Sequence, residues 1–296
     1  MFRFDYLEPR TLEEAASLLF PEDRESRIIA GGTDILVKIH DGKVRVDRLI
    51  SLSRIPGLCF IDAPEDQIRI GAMTTLGALE RSAPVQQFLP VLYDGLKDLG
   101  SVQIRNVATV GGNLCNAVPS ADTIPPLLAL GAEVSYWSGQ VKKRPLKEFF
   151  VGPGETLLGR GDILLDICLK RPPPRASGFY LKLSRRKGMD IPLLGVAVQL
   201  KVSENGSTCE DISIALGVAG PTPIRAERAE VLLKGERLTD ELLRFAGEVA
   251  SQDAKPRDSF RCNAEYRRAM IKALLPEVVK KALLRIGKTD ENNDPV

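Results

Sequence analysis

The chain has 296 residues, 44% hydrophobic and 27% charged, with 41 basic against 39 acidic residues and a net charge of +2. That balance excludes a disordered polymer and leaves no basic stripe for nucleic acid. One histidine, His40, and five scattered cysteines, Cys59, Cys115, Cys168, Cys209 and Cys262, with no C-x-x-C pair, argue against zinc, iron–sulfur and Ser-His-Asp chemistry on this chain.

The length exceeds a typical domain of roughly 100–150 residues, so two or three compact units are expected. Thr11 and Glu14 fit a capping box, and Leu12, Ala15, Ala16 and Leu19 share one face, so residues 11–20 read as a short amphipathic helix ended by Pro21. Residues 27–30 read as a buried strand running into Gly31-Gly32, and residues 33–39 carry helical spacing. Strands are expected over 44–52 and 67–71, and helices over 76–81 and 88–99. A second lobe begins near Pro56. Residues 104–116 are rich in glycine and poor in helix formers, so a glycine turn is expected there, followed by a short helix over 123–130 and a strand over 132–137.

After a strand over 162–170, Arg171-Pro172-Pro173-Pro174-Arg175 forms a stiff extended spacer, the natural place for a boundary. Strands over 178–183, 194–202 and 212–219, then helices over 225–234, 239–252 and 264–285, predict a small α+β domain with helices on one sheet face. The resulting division is a first lobe over 1–57, a second over 58–174, a C-terminal domain over 175–287 and a disordered tail over 288–296. The first residues contain no apolar signal segment and no run approaches the roughly 18 apolar residues of a membrane span, so a soluble cytoplasmic protein is expected.

Two segments carry the chemistry: Ile28-Ile29-Ala30-Gly31-Gly32-Thr33-Asp34-Ile35 and Thr109-Val110-Gly111-Gly112-Asn113. A glycine pair lets main-chain N–H groups approach a ligand and adopt positive φ, which suits a phosphate. A lone pair is an ordinary tight turn. Two, from different lobes, could clasp a diphosphate. Neither fits the P-loop or the Rossmann fingerprint.

These segments, with Pro119, Ser120, Ala121 and Asp122, then Gly161-Asp162-Ile163-Leu164-Leu165, Lys182-Leu183-Ser184-Arg185-Arg186, Asp190 and the 259–268 segment, resemble in order the FAD-binding subunits of the molybdenum hydroxylases. That family includes the flavoproteins of xanthine dehydrogenase and carbon monoxide dehydrogenase. The resemblance implies an α+β fold: a two-lobed FAD-binding domain of the PCMH (vanillyl-alcohol-oxidase-like) type and a small C-terminal α+β domain with a three-stranded sheet. It implies that residues 28–35 and 109–113 wrap the FAD diphosphate through backbone N–H groups, with side-chain bonds from Thr33, Thr109 and Asn113. By the same resemblance Asp122 contacts the cofactor, Leu165 and the neighbourhood of Lys182 line its flavin and adenine ends, and Leu99, counted back from the second bend, matches a further cofactor position or else a core residue of its helix. Arg185-Arg186-Lys187 reads first as a solvated turn; in a flavin site its cations would instead raise the flavin potential from the ring side, with Asp190 opposing them.

The function so implied is electron transfer without substrate chemistry. A small iron–sulfur subunit would supply electrons and a large subunit would hold the molybdenum cofactor, in a dimer of heterotrimers. NAD or another acceptor would receive the electrons. A self-contained FAD-dependent oxidase or reductase of the same cofactor fold is the alternative. His40, Tyr136 and Trp137 read as surface or core residues.

Overall fold

The computed structural model describes residues 3–20, 24–206 and 208–291, with the backbone alone for 288–291. Pro21 lies outside the described residues. So does most of the expected tail, although the backbone of the last helix continues to Glu291.

The first lobe runs β1 (Asp5–Leu7), α1 (Leu12–Leu19), β2 (Ser26–Ile29), α2 (Ile35–His40), β3 (Arg48–Ser51). Its three strands pair in parallel in the order β1-β3-β2, so β2 is an edge strand. Thr11 caps α1 by accepting from the Glu14 amide, and Ala15, Ala16 and Leu19 are buried, as the capping box and spacing imply. The strand expected over 44–52 is confined to β3; Val46 is buried before it without joining the ladder.

The second lobe runs β4 (Ile61–Asp62), β5 (Gln67–Gly71), α3 (Leu76–Arg81), α4 (Ala83–Phe88), α5 (Pro90–Lys97), α6 (Val102–Val107), α7 (Val110–Asn116), α8 (Ile124–Ala129), β6 (Glu133–Trp137), β7 (Val141–Pro145), β8 (Phe150–Gly152), β9 (Glu155–Thr156), β10 (Ile163–Lys170). Five strands form an antiparallel sheet, β4-β5-β10-β6-β7. The helix expected over 88–99 starts at Pro90. Leu89, which precedes that proline, is driven out of the helical region, so α4 is a separate element.

The largest correction concerns residues 104–116, which are helical where a glycine turn was expected. Ser101 caps α6 and Thr109 caps α7, each hydroxyl accepting an amide three residues on. Helix α7 therefore carries two glycines in its first turn, against their weak propensity. Gly111 is required there because a Cβ would lie 2.6 Å from the Ala72 carbonyl oxygen.

The C-terminal part runs β11 (Ala176–Leu183), β12 (Leu194–Val202), β13 (Cys209–Gly217), β14 (Ile224–Arg225), α9 (Glu227–Leu233), α10 (Asp240–Asp253), α11 (Ala264–Glu291). Its antiparallel sheet gains a fourth strand, β14, two residues long and without its own pattern. Val196, Val198, Leu200, Ile212 and Ile214 pack with α10 and α11, whereas Tyr180, Ala197 and Ala215 join the core of the second lobe. Both faces are thus covered. Arg285 of α11 reaches across to buried Asp94 of α5 with two bonds, of 2.6 and 2.9 Å, and so ties the last helix to the second lobe. Among the described residues no helix is long and apolar enough to cross a membrane.

Candidate functional site

The first bend leaves the carboxyl end of β2, the end of a parallel sheet where ligands characteristically bind. Gly32 adopts φ +73°, which reverses the chain before α2 begins. Between strand and helix, the main-chain N–H groups of Ala30 through Ile35 donate to no acceptor among the described residues. Six successive amides without partners form a concavity suited to an anion.

The second bend is wired differently. Val110 N donates to Thr74 O at 3.0 Å, Gly111 N to Ala72 O at 2.9 Å, Asn113 N to Thr109 O at 3.0 Å and Gly112 N to Thr109 Oγ1 at 3.1 Å. The expectation that both bends present free amides is therefore corrected for 110–113, whose donors complete the cap of α7 and its junction with β5. Thr109 is buried beneath them, its hydroxyl oxygen occupied as the cap. The side-chain Nδ2 of Asn113 meets no acceptor among the described residues, while its Oδ1 accepts from Thr123.

The two bends meet. A Cβ on Gly31 would lie 2.0 Å from the Val107 carbonyl oxygen and 2.9 Å from Ala108 Cα, at the turn between α6 and α7. A Cβ on Gly112 would come within 3.7 Å of Ala30 Cβ. Asn116, at the end of α7, donates to Asp34 Oδ1 at 2.8 Å and accepts from Lys38 Nζ at 2.6 Å, bridging to the first lobe. Burial pushes the Cys115 thiol up to about 12, although the residue keeps open surface. Leu36 and Val37 of α2 and Val102, Ile104 and Val107 of α6 expose apolar surface.

Leu165 sits at a bulge in β10, and its carbonyl accepts from Ala72 N, whose own carbonyl holds Gly111. Its side chain packs against the same apolar cluster as Ile28, so 28–35, 109–113 and Leu165 are tied together through that cluster and Ala72. A second neighbourhood joins Leu99, Asp122 and Lys182. Lys182 Nζ donates to Asp122 Oδ2 at 2.8 Å and to Asp98 O at 3.0 Å, and Tyr180 donates to Asp122 Oδ1 at 2.7 Å. Leu99 is half-buried against the second-lobe core. Burial pushes the Asp122 carboxyl above its ordinary value, while Lys182 and Tyr180 pull it back. The Thr123 hydroxyl on Asn113 links this cluster to the second bend.

Asp190 is held within its own loop. Its carboxylate accepts from the amides of Arg185 and Ile191, closing its own loop. Desolvation raises its pKa, but those amides and the Arg185 charge outweigh it and leave the carboxyl below its ordinary value. Beside that loop lies a cavity of about 320 Å³ bordered by Ser120, Ile191, Val218, Lys255, Arg257 and Arg261, with no carboxylate in its lining. His40 is exposed on α2 and Tyr136 is buried in β6, as read from the sequence. Asn116, Lys38 and Tyr180 were not singled out by the sequence; a polar residue at a helix end gives no pattern that reveals its partner.

A row of amides without partners among the described residues faces a second lobe, and the glycines mark where bulk is excluded. Residues 2–171 match the family model described as FAD binding domain in molybdopterin dehydrogenase, and residues 179–282 the model described as CO dehydrogenase flavoprotein C-terminal domain. The chain is 33% identical over 291 residues to the xanthine dehydrogenase FAD-binding subunit of Escherichia coli, covering 97% of this chain and 99% of that one. It is 32% identical over 287 residues to the carbon monoxide dehydrogenase medium chain of Hydrogenophaga pseudoflava, covering 95% and 96%. The solved carbon monoxide dehydrogenase of Hydrogenophaga pseudoflava lacking the Mo-pyranopterin moiety superposes with a TM-score of 0.91 at 31% identity, over 96% of this chain and 98% of that chain. Quinoline 2-oxidoreductase of Pseudomonas putida gives 0.89 at 27% identity, over 96% and 98%.

Proposed function

Because this chain belongs to the FAD-binding family of the molybdopterin dehydrogenases, we propose that it is the flavin-carrying medium subunit of a molybdenum hydroxylase. In this reading it takes electrons from a small iron–sulfur subunit and delivers them to NAD or another soluble acceptor. The observation that carries it is the row of unpartnered amides from Ala30 to Ile35, closed against the second bend. FAD, when bound, supplies a carrier that accepts electrons singly and releases them in pairs.

The chain's own residues hold and orient that group. The amides of 30–35 and the Thr33 hydroxyl would bind the diphosphate, and Ile28 and Ile29 anchor the bend to the sheet. Gly31 and Gly112 keep the two lobes close, Gly111 seats α7 against Ala72 beside the buried Val110, and Asn113 would supply side-chain contact. Leu165 and Leu99 would offer apolar contact at the flavin and adenine ends, and the Asp122–Lys182 pair a polar contact between them. The cationic cavity beside Ile191 suits a phosphate-bearing acceptor such as NAD, its volume lying at the small end of ligand pockets.

The relatives named as FAD-binding subunits and medium chains support placing the molybdenum cofactor and iron–sulfur clusters on separate subunits; a dimer of heterotrimers within the cytoplasm is the assembly we propose. We retain the division at 57/58 and 174/175, since each sheet of the described residues lies within one segment. The test is purification of the chain with its partners. It should carry the absorption of an oxidised flavin, bleached by the complex's reducing substrate and restored by NAD. A colourless chain overturns the reading; a yellow one that NAD leaves unchanged overturns the choice of acceptor alone.

A further inference from the structure

Asn116 sits where the two lobes are joined by side chains as well as by packing. Lys38 can only donate a hydrogen bond, and an ionised Asp34 can only accept one. The carboxamide of Asn116 serves both at once, with Oδ1 toward Lys38 at 2.6 Å and Nδ2 toward Asp34 at 2.8 Å. An ionised carboxylate there would offer no donor to Asp34, and an ammonium no acceptor to Lys38. Asp34 directly follows Gly31-Gly32-Thr33, and Asn116 lies on the helix that carries Gly111-Gly112. Asp34 stands at the start of α2 without capping it, so its side chain is committed to the bridge.

We propose that Asn116 is a positioning residue whose bridge between Asp34 and Lys38 fixes the spacing of the two diglycine bends and thereby sets how long FAD remains bound. The inference rests on the proposed binding of FAD between those bends. It assigns the bridge no contact with the cofactor. Its effect is on the rate of escape, because opening the cleft beside the bends parts these three side chains and shifts the Gly31–Val107 contact.

The experiment measures FAD release from the full chain by the return of flavin fluorescence, together with the thermal midpoint of the cofactor-free protein. Asn116→Ala should shed FAD roughly 10-fold faster, in line with coupling energies between bonded neighbours. Asn116→Asp sets two carboxylates against each other and should release it roughly 30-fold faster, more than its effect on the midpoint accounts for. Adding Asp34→Asn to Asn116→Asp restores one donor and two acceptors with the direction reversed, and should return release to within about threefold of the parent. Rescue of that kind is not expected from a loss of general stability. An unchanged release rate in Asn116→Ala, or a double variant no slower than Asn116→Asp, overturns the proposal while the flavin reading stands. A parent chain that holds no FAD overturns both.

Discussion

Gly31-Gly32 and Gly111-Gly112 spell the same dipeptide, yet the amides around the first donate to nothing in the described chain and those around the second are all engaged. The first bend leaves a parallel strand as a loop. The second is the first turn of a helix whose N–H groups are met by Thr74, Ala72 and Thr109. Identical residues thus do different work: one pair presents donors, and the other lets α7 lie against the end of β5 and the first lobe. A diphosphate needs the former for binding and the latter for enclosure.

The contrast can be broken at the glycines first. Gly31→Ala places a methyl against the Val107 carbonyl, a 2.0 Å approach that backbone must relieve. Displacing the loop should weaken FAD binding by about 100-fold, the loss of two charge-assisted bonds of about 1.5 kcal/mol each, read by titration of flavin fluorescence. Gly111→Ala meets Ala72 O at 2.6 Å and Ala72 Cβ at 2.7 Å. Here the main effect should fall on folding, a loss of about 2 kcal/mol in urea unfolding of the cofactor-free chain. Equal effects of the two on both measurements would dissolve the distinction.

The threonines sharpen it. Thr109→Ala removes the cap of α7 and should cost about 1 kcal/mol of stability. Thr33 makes no intramolecular side-chain bond among the described residues, so Thr33→Ala should shift unfolding by less than about 0.5 kcal/mol and still lower FAD affinity by roughly fivefold.

How far the sequence reveals this follows from what each feature depends on. The capping box at Thr11, the alternation in β5 and β10 and the spacing of α9 to α11 are local signals, and each element stands where its pattern places it. Helices α6 and α7 were hidden because their stability comes from the caps at Ser101 and Thr109 and from packing against Ala72, which outweigh two glycines. Strand β7, Val-Lys-Lys-Arg-Pro, was hidden because it is an edge strand guarded by charge. The motif residues of the site were legible by family order. Which amides are free was not, because that is settled by partners dozens of residues away.

The smallest effect concerns the cluster beside the second bend. Burial raises the Asp122 carboxyl above its ordinary value, so between those two values the folded chain holds a proton that the unfolded chain has released. Its contribution to stability therefore falls as pH rises through that window and levels off above it. Asp122→Asn should remove that decline when unfolding is followed against pH, and a decline of unchanged slope would place its origin elsewhere.

Amide hydrogen exchange with and without FAD tests the central claim most directly. The amides of residues 30–35 should exchange quickly in the cofactor-free chain and become protected on binding, whereas those of 110–113 should be slow in both states. New protection confined to 110–113, or none at 30–35, would contradict the account.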